Sequence, residues 1–232
     1  FTSREKIWKS YEDVSDPISG RSLGKKIVTY KENYELGLLI SVERGWRHYD
    51  ADLNRVVSYN EIYEGDINPA NISGRYLNNS SSILKTATQK IYKDYYKGKI
   101  ATIIETYEFG FDRPTNIQKI YYDRVNTTLG GNRTAKAIEN WIEIGNFLYQ
   151  QSMQYVYRME DNVVVDPEIG RKEKKTTTII ETYEGDFTTA SGYFLSQIEK
   201  IYAIEHDGKI IRVSAFYDPS LLTEPISIQL KH

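Results

Sequence analysis

Nothing constrains the fold of this chain more than two nearly identical strings, TIIETYEFG at 102–110 and TIIETYEGD at 178–186. Each is rich in β-branched and aromatic residues, which suit a pleated, half-buried surface. Each runs into a glycine that permits a turn or a bulge. The ending recurs as ENYELG from Glu32 and EIYEGD from Glu61. In all four copies a glutamate and a tyrosine lie two positions apart, which puts them on one strand face, and the next glutamate lies on the other.

The tripeptide KIY opens strand-like runs at 90–92, 119–121 and 200–202. Two of these runs lead into short turns, YKGK at 96–99 and HDGK at 206–209. A Lys-Gly or Asp-Gly pair between β-rich runs is a two-residue hairpin signal, because glycine takes the positive φ of a primed turn. Counting back from Lys97-Gly98 sets Tyr96 opposite Lys99, Asp94 opposite Ala101, Tyr92 opposite Ile103 and Lys90 opposite Glu105, a cross-strand ion pair. The same count around Asp207-Gly208 sets Ile204 opposite Ile211, Tyr202 opposite Val213 and Lys200 opposite Ala215. The ion pair therefore does not read as a rule of the repeat.

Further copies span 26–37, 47–66, 119–145 and 153–186. The expectation is an all-β chain, an antiparallel meander of about six repeated hairpins in one domain over 1–232, forming a barrel or a large curved sheet. One segment is ambiguous. AKAIENWIEIGNFLYQQ (135–151) follows a Thr134 cap and places Ile138, Trp141, Ile142 and Leu148 on a plausible helical face, so one helix near 134–151 competes with the strand reading. The connections at 67–82, 111–116 and 188–192 are rich in Asn, Ser, Gly and Pro and read as loops, as does Gly130-Gly131.

YYKGKIATIIETYEFG (95–110) and HDGKIIRVSAFYD (206–218), with a fainter copy at 48–66, resemble the variant MORN and YD-type hairpin repeats of bacterial surface, toxin-associated and antitoxin proteins. That resemblance implies binding or scaffolding and carries over no catalytic residue. The spacing differs from those families: EIYE begins at 61, ETYE at 105 and again at 181.

Composition removes several functions. With no cysteine there is no disulfide, thiolate nucleophile or cysteine-ligated metal. A net charge of −2 provides no bulk field for nucleic acid, and the basic run RKEKK (171–175) reads as a solvated loop. No apolar run approaches a membrane span, so the chain is expected to be soluble. A first residue of Phe1 rather than Met points to a secreted, periplasmic or outer-envelope protein. His48, His206 and His232 show no ligand spacing, and no motif calls for a cofactor or metal. The sequons at Asn71, Asn78, Asn79, Asn126 and Asn132 read as turn-forming asparagines in loops.

Three functional classes stand. Glu61/Glu64, Glu105/Glu108 and Glu181/Glu184 are paired carboxylates of the kind acid–base hydrolysis needs, but a catalytic pair is needed once, whereas a structural pair is needed in every unit. A barrel carrying a lipid-like ligand would be lined by Tyr92, Ile103, Ile204 and Val213. The leading expectation is a non-enzymatic binding or structural module. Its candidate ligand-binding residues are Tyr34, Tyr63, Tyr107, Trp141 and Tyr183, which end equivalent strands; rings with polar tips suit protein or carbohydrate surfaces.

Overall fold

The structure, a computed structural model, describes residues 3–65, 83–166, 171–189, 191–206 and 208–231. Among them are thirteen strands: β1 (Ser3–Ser15), β2 (Ser22–Glu35), β3 (Leu38–Asp50), β4 (Arg55–Gly65), β5 (Ile83–Tyr96), β6 (Lys99–Glu108), β7 (Asn116–Thr127), β8 (Gly131–Ile144), β9 (Phe147–Asp166), β10 (Arg171–Gly185), β11 (Tyr193–His206), β12 (Lys209–Tyr217) and β13 (Ser227–Lys231). Strand order follows chain order in an antiparallel meander that ends at β1 and β13 without closing. Six hairpins and one further strand account for it.

The ambiguous segment is strand. Residues 134–144 continue β8 and 147–151 open β9, joined by Gly145 and Asn146 at φ 56° and 79°. Two consecutive positive φ values make a primed hairpin turn, which a helix could not accommodate. Ala135, Ala137 and Glu139 are buried at a period of two, and the helical face of Ile138, Trp141, Ile142 and Leu148 does not form. The run 171–175 is likewise not a loop. It opens β10, where Lys175 lies opposite Asp161, Lys174 pairs with Glu160 at 2.5 Å, and Glu173 pairs with Arg171 and Lys175. Alternating charges satisfied across and along the strand let a polar segment extend the sheet.

Contacts divide the chain into two compact units, Phe1–Ile117 and Gln118–His232. In the first, Val28, Tyr30, Val42, Trp46, Val57, Tyr59 and Tyr63 alternate along β2, β3 and β4 to form one buried face. The β1–β2 turn folds over that face: Ile18 packs against it, and the Tyr59 hydroxyl donates to Asp16 Oδ2 at 2.7 Å. In the second unit, Ala135, Tyr157, Val163, Ile179, Ile198, Tyr202, Val213, Ala215 and Tyr217 are the corresponding core, and Leu129 of the β7–β8 turn packs against it. That turn holds Gly130 tightly, since a Cβ there would lie 2.1 Å from Arg133 Nε. The residues proposed to line a lumen are buried or packed against these cores. Ile103 and Val213 are buried, and Tyr92 and Ile204 pack against the first and second clusters.

Candidate functional site

Five even-numbered strands carry Glu-x-Tyr or Glu-x-Trp at the same place: Glu32-Tyr34, Glu61-Tyr63, Glu105-Tyr107, Glu139-Trp141 and Glu181-Tyr183. In every copy the ring's polar atom donates to the carboxylate two residues earlier. Tyr34 reaches Glu32 Oε2 at 2.6 Å, and Tyr63, Tyr107 and Tyr183 reach Glu61, Glu105 and Glu181 at 2.9 Å each. Trp141 Nε1 reaches Glu139 Oε2 at 3.3 Å. All five candidate binding rings are thus engaged in one repeated contact. Tyr63 and Tyr107 are buried, while Tyr34, Trp141 and Tyr183 are half-buried.

In four copies the preceding odd strand supplies a donor to the other oxygen, and in the fifth Lys85 of the following strand donates to Glu61 Oε1 at 3.3 Å. Tyr92 donates to Glu105 Oε1 at 2.7 Å and Tyr157 to Glu181 Oε1 at 2.6 Å; Trp8 Nε1 and the Tyr121 hydroxyl make the same contact with Glu32 and Glu139. Three of these donors belong to a second signature, a basic residue two positions before an aromatic, in Lys6-Trp8, Lys90-Tyr92 and Lys119-Tyr121; Arg44-Trp46 and Lys200-Tyr202 repeat the pattern, while Tyr157 follows Tyr155 instead. The KIY tripeptides are three of its copies.

Register turns the two signatures into ion pairs. Lys6 lies opposite Glu32, Arg44 opposite Glu61 and Lys90 opposite Glu105, with nitrogen to oxygen distances of 3.4, 2.8 and 3.8 Å. The cross-strand pair is therefore a rule within the first unit, contrary to the expectation from Lys200 alone. Two copies in the second unit depart from it. Glu181 faces Tyr155 and takes a third bond from the Leu129 amide at 3.2 Å. In β12 the glutamate is replaced by Ala215, and the opposing, buried Lys200 instead meets Asp161 at 2.5 Å and lies over the Tyr217 ring.

A bulge accompanies the repeat. Register slips beside the aromatic between Asn33 and Tyr34, Ile62 and Tyr63, Asn140 and Trp141, and Thr182 and Tyr183. At two of these, the extra residue on the next strand closes the gap, Thr86 Oγ1 bonding Ile62 O at 3.3 Å and Ser196 Oγ bonding Thr182 O at 3.1 Å. Thr115 Oγ1 makes the equivalent bond to Thr106 O at 3.2 Å. Such bulges re-aim a side chain and sharpen local twist.

Electrostatics follow from this geometry. Burial, with the neighbouring carboxylate, holds the phenols of Tyr63 and Tyr107 well above their ordinary range. Tyr183 is pushed up to about 12, mainly by burial. Arg44 is raised further above its already high value, because Glu61 and Tyr30 outweigh the burial that opposes its charge.

Each inner glutamate has its oxygens occupied by donors fixed on two strands, while Glu64, Glu108 and Glu184 are exposed on the opposite face. The two carboxylates of a copy therefore do not converge on one substrate position, as paired acid–base catalysis requires. Among the described residues, no three His, Asp or Glu side chains gather as a metal site, and no helix is long and apolar enough to cross a membrane. His48 lies on β3; His206 ends β11 rather than sitting in the turn, and His232 and Asp207 lie outside the described residues. Asn126 and Asn132 lie on β7 and β8 rather than in loops, and Asn71, Asn78 and Asn79 fall outside the described residues. No protein-family model, curated protein or solved structure matches the chain.

Proposed function

We propose that this chain is a non-enzymatic β-repeat module that acts as a structural or binding scaffold in a secreted or envelope-exposed setting. One observation carries the reading: the same glutamate and aromatic contact recurs on five strands, four of them with a bulge beside the aromatic, and each inner carboxylate is committed to holding neighbouring strands in register. A reaction centre would instead leave one constellation unlike the rest, with an unsatisfied or accessible group. The likeness of 95–110 and 206–218 to bacterial hairpin repeats supports the same reading.

The test compares wild-type protein with Glu105→Gln and Glu181→Gln in assays of glycoside and ester hydrolysis and in urea unfolding. The expected result is no turnover by any of the three proteins and lowered unfolding midpoints for both variants. Turnover by the wild type that either substitution abolishes, with its fold intact, would overturn the proposal.

A further inference from the structure

Alternation along a strand turns the middle residue of each basic-x-aromatic copy to the face opposite the core. That residue is isoleucine in four copies, Ile7, Ile91, Ile120 and Ile201, and glycine in one, Gly45 of β3. Neither backbone nor packing asks for a glycine there. Gly45 is not at positive φ, and a Cβ would lie 3.4 Å from the nearest atom, the Tyr59 carbonyl oxygen, which leaves room for a side chain. A glycine inside a strand weakens it and marks a place where something approaches the backbone closely. Gly45 lines a groove of about 890 Å³ on the back of the first unit, a volume within the range of ligand sites.

The groove presents polar groups between apolar walls. Asn60 Nδ2 donates to Glu43 at 3.3 Å, and its Oδ1 overhangs Gly45, 3.6 Å from where a Cβ would stand. Thr29 and Ser58 add hydroxyls. Arg47, Ser58 and Ile91 also line a second groove, of about 880 Å³, which continues the path to Lys93 and Thr102. Three cations mark that path, Lys9 on β1, Arg47 on β3 and Lys93 on β5, and among the described residues none of them has an ion-pair or hydrogen-bond partner. They stand on alternate strands, two strand spacings or roughly 10 Å apart across the sheet. The carboxylates along the path are already engaged, Glu43 by Lys31 at 3.6 Å and Asp94 by Arg55 at 2.6 Å.

This arrangement selects the ligand. Cations spaced along one path suit an extended anion rather than a compact one. The hydroxyls and the amide oxygen between them suit a ligand rich in hydroxyl groups, since an acyl chain would cover them without pairing them. A nucleic acid strand needs exposed rings on which to stack its bases, but the walls beside Gly45 are Ile7, Ile27 and Ile91, and the rings of Trp46 and Tyr59 are buried on the other face. We propose that the back of the first unit binds a linear acidic polysaccharide, its acidic groups meeting Lys9, Arg47 and Lys93 and one sugar ring settling over Gly45 against Asn60. This names a ligand class for the scaffold and rests on the binding reading above.

The test is isothermal titration of the full chain with alginate, a polymer of sugar carboxylates, with neutral dextran and with single-stranded oligothymidylate. The expected result is saturable binding of alginate alone, weakened by salt. Gly45→Ile restores the residue of the other four copies and fills the groove, and Arg47→Gln removes a cation without orphaning a partner, so circular dichroism should show both folded. Each should weaken alginate binding roughly fivefold or more. Lys209→Gln, an exposed cation of the second unit, should leave it unchanged. The proposal is overturned if alginate does not bind, if dextran or oligothymidylate binds as tightly, if the Gly45 and Arg47 variants bind like the wild type, or if Lys209→Gln weakens binding as much as they do. None of these outcomes bears on the scaffold reading, which fails only on glutamate-dependent turnover.

Discussion

The Tyr157 hydroxyl on β9 donates to the Glu181 carboxylate on β10 at 2.6 Å, although the two are not opposite each other: Tyr157 faces Ile179, and Glu181 faces Tyr155. The bond is diagonal, within the reach of an aromatic side chain between neighbouring strands. Tyr92 reaches Glu105 on the same diagonal while facing Ile103. Each such glutamate thus joins the aromatic two residues on in its own strand to an aromatic of the strand before it, and a slip of register by one residue would separate them.

Glu181 is fully buried and accepts from Tyr157, Tyr183 and the Leu129 amide. Glu181→Ala should leave the buried Tyr157 hydroxyl without this acceptor and strip the half-buried Tyr183 hydroxyl and Leu129 amide of theirs, destabilising the protein by about 3 kcal/mol, since an orphaned buried donor costs about 1–3 kcal/mol and partly exposed ones less. Glu181→Gln keeps one acceptor oxygen and should cost less, about 1–2 kcal/mol. Urea unfolding midpoints at unchanged slope measure both.

The hairpins were legible in the sequence because turn chemistry and a period of two fix register without help from the rest of the fold. The count around Lys97-Gly98 yields the observed Lys90 and Glu105 partners. The shared face of Glu61 and Tyr63, with Glu64 on the other, was legible for the same reason. What those glutamates bind was not. Their donors come from diagonal positions and, at Glu181, from a backbone amide 52 residues away in sequence. The basic-x-aromatic signature was the missed signal, hidden because KIY marks only three of its copies. The bulges were invisible because they depend on the next strand. At 171–175 charge density masked a strand, and at 145–146 Gly-Asn was a hairpin signal inside a run that also fits a helical period.

Two glycines should respond differently to alanine. Gly98 has φ 73° and open space where a Cβ would stand, so Gly98→Ala should cost only the left-handed backbone strain, about 1–2 kcal/mol. Gly185 has φ 120°, and a Cβ there would lie 2.4 Å from the Gly192 carbonyl oxygen. Gly185→Ala should therefore cost more than about 3 kcal/mol, and thermal unfolding of the two variants side by side checks the difference.

Alkaline titration should separate the buried phenols from ordinary ones. Tyr155, Tyr183 and Tyr202 are each pushed up to about 12, chiefly by burial. A raised pKa means that the fold favours the protonated ring. That contribution is fully present below the ordinary phenol value of about 10 and is lost as pH climbs towards 12. Phenolate absorbance should show a group of tyrosines ionising only near the upper end of that window, together with loss of the β-sheet circular dichroism. If every tyrosine ionises near pH 10 while the sheet persists, the burial assignment is wrong.

Arg44 offers a double-mutant cycle that separates specificity from stability. Its guanidinium is almost wholly buried and meets Glu61 at 2.8 Å, Glu12 at 3.2 Å and the Tyr30 hydroxyl at 3.2 Å. Arg44→Met leaves the Glu61 carboxylate buried, with Lys85 at 3.3 Å as its remaining cation, and should cost about 3–5 kcal/mol. Glu61→Met leaves Arg44 with Glu12 alone among its two carboxylates and should cost a similar amount. In the double variant neither charge of the pair remains, and methionine fills the space with apolar bulk, so the combined loss should fall well short of the sum, by about 2 kcal/mol or more. Urea unfolding of the four proteins gives the coupling energy directly. A coupling near zero would mean that the register of β3 on β4 does not depend on the pair, and that the neighbouring Val42 and Val57, both fully buried, are sufficient to hold the two strands together.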